Sequence, residues 1–219
     1  MSRILLIEAS ARKTRSLSRN LAERFAAAWL SHAPSDEIIR RDVGLNPPPA
    51  ITEQWIAAVF KPEEARDASD KQVLTLSDEL IGELIPADIL VIATPMYNYG
   101  MPAALKAWFD QVIRINKTFS FDLARGDNPI EPMQSGKTLV MLTAAGEGGL
   151  LDSIASHKNH LHPHIIEASR LLGVEQHETV AIEFQEFGDQ RFDHSQAQAT
   201  AAIEPLVERL MEQTTCSSR

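Results

Sequence analysis

Residues 89–100 read I-L-V-I-A-T-P-M-Y-N-Y-G, and this stretch decides the fold class. Five apolar residues without a break predict a short strand that is buried on both faces, as the strands of parallel sheets are. Pro95 and Gly100 then mark a tight turn after that strand. A helix is predicted to follow from Pro102 to Val112, with proline at its tolerated first position. The stretch therefore predicts a central strand, a loop at its carboxyl end and a covering helix.

Apolar patterns on both sides of this stretch repeat the alternation of strand and helix. Further strands are predicted at residues 4–7, 37–43, 138–143 and 178–184, and further helices at 17–29, 52–60, 69–84, 165–172 and 203–211. This alternation predicts an α/β fold: a doubly wound five-stranded parallel sheet with helices on both faces. We expect one domain over residues 1–213 and a disordered tail over 214–219. The segment 114–136 is predicted to be a functional loop or a small hairpin.

Composition and charge are those of an ordinary globular protein. Of the 219 residues 44% are hydrophobic and 23% are charged, which excludes a disordered chain. The net charge of −9 disfavours nucleic acid and anionic membranes as partners, because like charges repel. Nothing in the sequence predicts a membrane span or a signal peptide. The single cysteine, Cys216, excludes an internal disulfide and is typical of the reducing cytoplasm, where we expect the protein.

Ligands of doubly wound sheets bind beyond the carboxyl ends of the strands, so the loops that follow the strands deserve most weight. The first of them, residues 9–16, lacks the glycine patterns of dinucleotide and P-loop sites. Instead Ser10, Ser16 and Ser18 offer hydroxyls beside a helix start, where free N–H groups attract phosphate. Three basic side chains share this loop: Arg12, Lys13 and Arg15. Taken alone, the loop fits an anion site and a solvated loop with capping serines equally well.

Two loops carry a pattern that resembles a known family. The first holds the serines as S-x(5)-S-x-S, and residues 95–102 read P-M-Y-N-Y-G-M-P. S-D-E-L-I-G-E-L from Ser77 and L-K-A-W-F-D from Leu105 extend the likeness. The chain resembles the FMN-dependent NADH azoreductases and quinone reductases of the flavodoxin-like group, and the resemblance spans nearly the whole chain.

The resemblance implies a tightly but non-covalently bound FMN. Its phosphate and ribityl end are expected at Ser10, Ser16, Leu17 and Ser18, its ring at Met96, Tyr97, Asn98 and Tyr99, and a further contact at Gly146. A flavin needs apolar walls and a hydrogen-bonding edge, which side chains and backbone of residues 96–99 can supply. The loop 144–149 departs from the family's T-S-x-G-G-like run. In the alternative reading, the two tyrosines pack on the following helix.

The resemblance also implies an activity and an assembly. NADH or NADPH would give a hydride to the flavin, and a quinone or azo compound would then take the same place and receive two electrons, with no obligatory acid or base from the protein. A homodimer is implied as well. The sequence does not distinguish NADH from NADPH. Three alternatives remain open: a flavodoxin-like electron-transfer protein, an FAD-dependent quinone reductase of related fold, and a phosphate-binding regulatory domain without a redox role.

Four histidines lie close together in the sequence, at His157, His160, His162 and His164. Histidine is a common ligand of transition metals. However, the spacing matches no standard zinc motif, and no cysteine assists. We therefore predict no metal here and assign the segment to a surface loop beside the substrate pocket.

Overall fold

A five-stranded parallel sheet forms the centre of the computed structural model, which describes residues 2–151, 153 and 155–217 but not the side chains of 214–217. In chain order the strands are β1 (Arg3–Glu8), β2 (Glu37–Asp42), β3 (Ile89–Pro95), β4 (Phe119–Phe121), β5 (Ile130–Pro132), β6 (Lys137–Ala144) and β7 (Val174–Ile182). The sheet has the order β2-β1-β3-β6-β7, and all its neighbours pair in parallel. The chain passes from β1 to β2 on one side and then to β3 on the other, so the strand order switches between β1 and β3.

Helices cover both faces of this sheet. They are α1 (Leu17–His32), α2 (Glu53–Phe60), α3 (Ala68–Leu84), α4 (Ala103–Val112), α5 (His162–Arg170) and α6 (Gln190–Ser217). Alternate residues of β1 point to opposite faces. Leu5 belongs to the apolar core shared with α3, α4 and α5, whereas Leu6 belongs to the core shared with α1 and α6. The predicted doubly wound α/β fold is therefore confirmed.

The segment predicted as a functional loop or a small hairpin contains a hairpin. β4 pairs antiparallel with β5, with Phe121 opposite Ile130. A turn of 3₁₀ helix at Leu123–Arg125 lies in the connection between them. Both strands lie outside the main sheet and form a separate two-stranded sheet.

Several boundaries differ from the sequence prediction, most of all in the last third of the chain. The last strand runs over Val174–Ile182 instead of 178–184, and Phe184 has a left-handed backbone with φ 65°. α5 begins at His162, and Pro163 fits into its first turn instead of interrupting it. α6 begins at Gln190, well before the predicted residue 203.

The last helix extends beyond the predicted end of the domain at residue 213. α6 continues to Ser217, into the predicted tail of residues 214–219. Ser218 and Arg219 lie outside the described residues. Over the part of the chain that the structure describes, no helix is both long and apolar enough to cross a membrane.

Candidate functional site

A cleft of about 630 Å³ opens at the carboxyl ends of the central strands, where the strand order switches. It is lined by Ser10, Arg12, Arg15, Ser16, Leu17, Ser18, Asn20, Pro95, Met96, Tyr97, Ala144, Ala145, Gly146, Gln185, Glu186, Phe192 and Gln196. The loops after β1, β3 and β6 all contribute to this lining, as the parallel-sheet rule predicts. The volume lies in the range of pockets that hold cofactors and other small molecules, roughly 300–1,000 Å³.

Hydroxyl groups gather at the start of α1. Ser16 is the N-cap, and its Oγ accepts a hydrogen bond from the Arg19 N–H at 3.4 Å. The hydroxyls of Ser16 and Ser18 lie 3.4 Å apart, and Ser10 and Ser18 are almost fully buried. The N–H groups of Leu17 and Ser18 lie in the first helical turn, where backbone N–H groups have no hydrogen-bond acceptor within the helix. Of the serines beside this helix start, Ser16 is the one that caps α1.

The second loop folds back on itself in a tight turn. Tyr97 and Gly100 exchange two backbone hydrogen bonds of 3.1 and 3.0 Å, while Asn98 and Tyr99 take left-handed backbone angles of φ 48° and 66°. Met96 and Tyr97 consequently line the cleft. Asn98 and Tyr99 are not among its lining residues, so their predicted contact with the ring remains a prediction.

Tyr99 is engaged on the rim of the site instead. Its hydroxyl donates to Oε1 of Glu147 at 2.7 Å, and Lys158 Nζ donates to Oε2 of the same carboxylate at 3.1 Å. The hydrogen bond with Glu147 raises the pKa of the Tyr99 hydroxyl and lowers the pKa of the Glu147 carboxyl. This exposed network links the second loop, the third loop and the segment before α5.

The third loop, residues 144–149, is held by the segment that follows β7. Ala145 N–H donates to the Ile182 carbonyl at 2.8 Å, and Glu186 N–H donates to the Gly146 carbonyl at 3.1 Å. A Cβ on Gly146 would lie 2.6 Å from Cγ of Glu186, so a side chain at this position would have to displace the Glu186 side chain. The predicted Gly146 lines the cleft, together with Ala144 and Ala145.

Part of the lining was not predicted from the sequence. Gln185 and Glu186 follow the edge strand β7, and Phe192 and Gln196 lie on the first turns of α6. The sequence placed a strand up to residue 184 and started the last helix at 203, so these positions were not linked to the site. The available signals were Phe187 and Phe192 in an otherwise polar stretch.

The four histidines do not share one environment. His162 is buried: its Nδ1 lies 3.0 Å from Asn159 Oδ1, and its Nε2 lies 3.1 Å from Thr143 Oγ1. Burial lowers the pKa of His162 to about 4. The assignment to a surface loop is therefore wrong for His162, which is buried, and for His164, which is exposed but lies in α5, whereas His160 is exposed and precedes that helix. In the described ranges, the set spaced closely enough for a shared cation is the exposed trio His32, Glu204 and Glu208.

The structure thus gathers most of the predicted contact residues in one cleft: Ser10, Ser16, Leu17, Ser18, Met96, Tyr97 and Gly146. Hydroxyls and guanidinium groups occupy the part formed by the first loop. Apolar side chains and a rim of amides complete the remainder. This distribution suits a ligand with an anionic end and a flat apolar body.

Comparisons with known proteins agree with the fold. A family model described as a flavodoxin-like fold matches residues 2–206. FMN-dependent NADH:quinone oxidoreductase 2 of Colwellia psychrerythraea is 50% identical, over 96% of this chain and 100% of that protein. The protein of the same name from Idiomarina loihiensis is 47% identical, over 99% of this chain and 94% of its own.

A solved structure shows the same fold at lower identity. The crystal structure of azoreductase from Bacillus anthracis str. Sterne matches with a TM-score of 0.85 at 20% identity, over 95% of this chain and 100% of that one. The resemblance that the two loops indicated is thereby confirmed. The chain belongs to the family of FMN-dependent NADH:quinone oxidoreductases, within the flavodoxin-like fold.

Proposed function

We propose that this protein is an FMN-dependent NAD(P)H oxidoreductase that reduces quinones and azo compounds. The observation that carries the proposal is the cleft at the switch between β1 and β3, which joins a loop of serines and arginines to an apolar wall. The names of the two relatives at 47% and 50% identity support the choice of FMN, NADH and quinone.

The residues of the cleft fit FMN. Ser10, Ser16 and Ser18, with the free N–H groups at the start of α1, would hold the phosphate and ribityl end. Met96 and Tyr97 would pack against the ring. At Gly146 the third loop lies close to Glu186, and the glycine adds no side chain to the cleft that it lines.

Held by these residues, FMN would supply the chemistry, which is the transfer of a hydride from a nicotinamide and of two electrons to an acceptor. The residues of the cleft would bind the reactants and orient them. We assign no catalytic acid or base to the chain. Hydrogen bonds from backbone N–H groups near the ring would supply the electrostatic stabilisation that such a reaction needs.

An absorption titration tests the proposal. The purified protein is titrated with FMN, reduced with NADH in the absence of oxygen, and then mixed with a quinone or an azo dye. We expect the flavin band to shift on binding, bleach with NADH and return with either acceptor. A protein that leaves the spectrum of added FMN unchanged would contradict the proposal. Mass spectrometry of the extracted cofactor distinguishes FMN from FAD.

We also propose that the protein is a homodimer. Apolar side chains of the hairpin region are exposed: Phe121, Leu123, Ile130 and Met133, with Leu123 76% accessible. Ile130 also lines a groove of about 520 Å³ together with Ile113 and Leu171. Several exposed apolar side chains on one hairpin favour association between copies.

Light scattering coupled to size-exclusion chromatography tests the dimer. We expect a mass of twice 24.3 kDa for the natural protein and a shift toward the monomer for Leu123→Asp. A monomer at every concentration would contradict the proposal. We further propose a cytoplasmic location, which the single cysteine supports and cell fractionation tests.

A further inference from the structure

The side chain of Arg19 forms hydrogen bonds with the backbone of the first loop. Nη2 donates to the Ser10 carbonyl at 2.7 Å, and Nε donates to the Arg12 carbonyl at 3.0 Å. The same guanidinium forms a bidentate pair with Asp42, with distances of 2.8 and 2.7 Å. Arg19 is not among the residues that line the cleft; it lines a neighbouring groove together with Glu8, Lys13 and Asp42.

These two hydrogen bonds set the direction of two peptide groups. The described peptide bonds include no cis bond, and a trans peptide is planar, so each carbonyl points opposite to the following N–H. Holding the carbonyls of Ser10 and Arg12 toward Arg19 therefore turns the N–H groups of Ala11 and Lys13 away from it. Ser10 Oγ accepts from the Arg12 N–H at 3.2 Å and stabilises the same shape.

The charge of Arg19 is already compensated where it lies. Asp42 pairs with it, and Glu8 approaches Nη1 at 3.3 Å. Burial opposes ionisation of Asp42, but hydrogen bonds from Arg19 and from the Leu45 N–H lower the pKa of its carboxyl overall. The positive charge of Arg19 is therefore largely neutralised. Its contribution is the fixed, planar arrangement of its N–H donors.

We propose that Arg19, held by Asp42, is a positioning residue that shapes the first loop into a cradle for a phosphate monoester and so makes the cleft select FMN over riboflavin. This inference rests on the proposed function. It assigns phosphate selection to a residue outside the cleft, which acts through the backbone of residues 10–13. Lysine at position 19 would keep the charge but lose the fork that joins two carbonyls to a carboxylate.

The test compares the dissociation constants of FMN and riboflavin in four proteins. These are the natural protein, Arg19→Met, Arg19→Lys and Arg40→Met. Arg40 is the matched control, because it lies 3.7 Å from Glu8 in the same charge network and pairs with Glu23, without touching the first loop. Thermal unfolding of each variant checks the fold.

Both Arg19 variants are expected to lower the preference for FMN by about tenfold or more, since hydrogen bonds from charged groups contribute on this scale. Riboflavin affinity should stay unchanged, because a general loss of structure would weaken both flavins. Arg40→Met should keep the natural preference. If Arg19→Met does not fold, Arg19→Lys alone carries the test.

Two results would overturn the inference: an FMN preference that survives in the Arg19 variants, or an equal loss in Arg40→Met, which would indicate charge instead of geometry. A natural protein that binds neither flavin would contradict the proposed function itself. The two failures are therefore distinguishable.

Discussion

Gly44 shows how closely the first loop depends on a single residue. It follows β2, and its N–H donates to the Glu8 carbonyl at 2.9 Å. A Cβ at this position would lie 2.6 Å from the carbonyl carbon of Ser10 and 2.8 Å from that of Ala9. These are backbone atoms, which cannot turn aside as the end of a flexible side chain can.

We expect Gly44→Ala to lower the free energy of unfolding by about 1–3 kcal/mol, as overpacking does, and to weaken FMN binding. The strain displaces Ser10, which lines the cleft. Urea unfolding and a flavin titration measure the two effects. Gly82→Ala is the control, because Gly82 lies in α3 with open space around its Cβ position. That change should stabilise the helix by about 0.5–1 kcal/mol and leave FMN binding unaltered.

The buried His162 predicts a dependence of stability on pH. Its folded pKa of about 4 lies below the ordinary value of 6.5, so the unfolded chain takes up a proton that the folded chain does not. Stability should therefore fall as pH falls from about 6.5 to about 4, by up to about 3 kcal/mol from this group.

A comparison of His162→Gln with His164→Gln isolates this contribution. Both remove a histidine, but only His162 is buried between Thr143 and Asn159. When the free energy of unfolding is measured with urea at several pH values, it should fall less toward acid pH for His162→Gln than for the natural protein. For His164→Gln it should fall as it does in the natural protein. Parallel curves for all three proteins would contradict the assignment.

At the scale of an element, the N-caps of α1 and α2 distinguish the effect of a cap on stability from its effect on FMN binding. Ser16 caps α1 and lines the cleft, whereas Thr52 caps α2, accepts from the Trp55 N–H at 3.2 Å and does not line it. Ser16→Ala and Thr52→Ala should each cost about 1 kcal/mol of stability. Only Ser16→Ala should also weaken FMN, because its hydroxyl faces the phosphate region. Equal FMN affinity in both variants would place the phosphate elsewhere.

Elements with a strong apolar signal could be predicted from the sequence, and half-exposed ones could not. The continuous apolar run of β3 is buried almost throughout, and its position is nearly as predicted. β7 is an edge strand whose first half is largely exposed, so hydrophobicity located only its later half. The first half of α6 is polar, with Phe192 and Ala199 among its few apolar contacts to the core, and it gave no clear helical stripe.

The same limit applies to the site. Ser10, Ser16 and Met96 follow strands that could be located, so the topology predicted that they would meet. Gln185 and Gln196 could not be linked to the cleft, because the predicted end of the last strand and the predicted start of the last helix were both wrong. The orientation of Tyr99 depends on a left-handed turn and on the carboxylate of Glu147, which is distant in sequence. No local pattern specifies such a contact.

Over the whole molecule, the net charge of −9 opposes the approach of any phosphate-bearing ligand. Arg12 and Arg15 line the cleft, and neither side chain forms an ion pair with another described residue. Their charge is therefore available to an incoming anion. The first loop provides a local attractive field in an otherwise repulsive protein.

This contrast predicts that Arg15→Gln slows FMN association at low salt more than Lys71→Gln does, although each removes one positive charge. Lys71 is exposed on α3 and does not line the cleft, so its loss changes only the overall field. The difference should vanish near 1 M salt, where charges are screened over about 3 Å. Stopped-flow mixing of FMN with each variant at several salt concentrations measures the association rates. If both variants slowed association equally, the overall charge would govern the encounter, and the first loop would have no steering role.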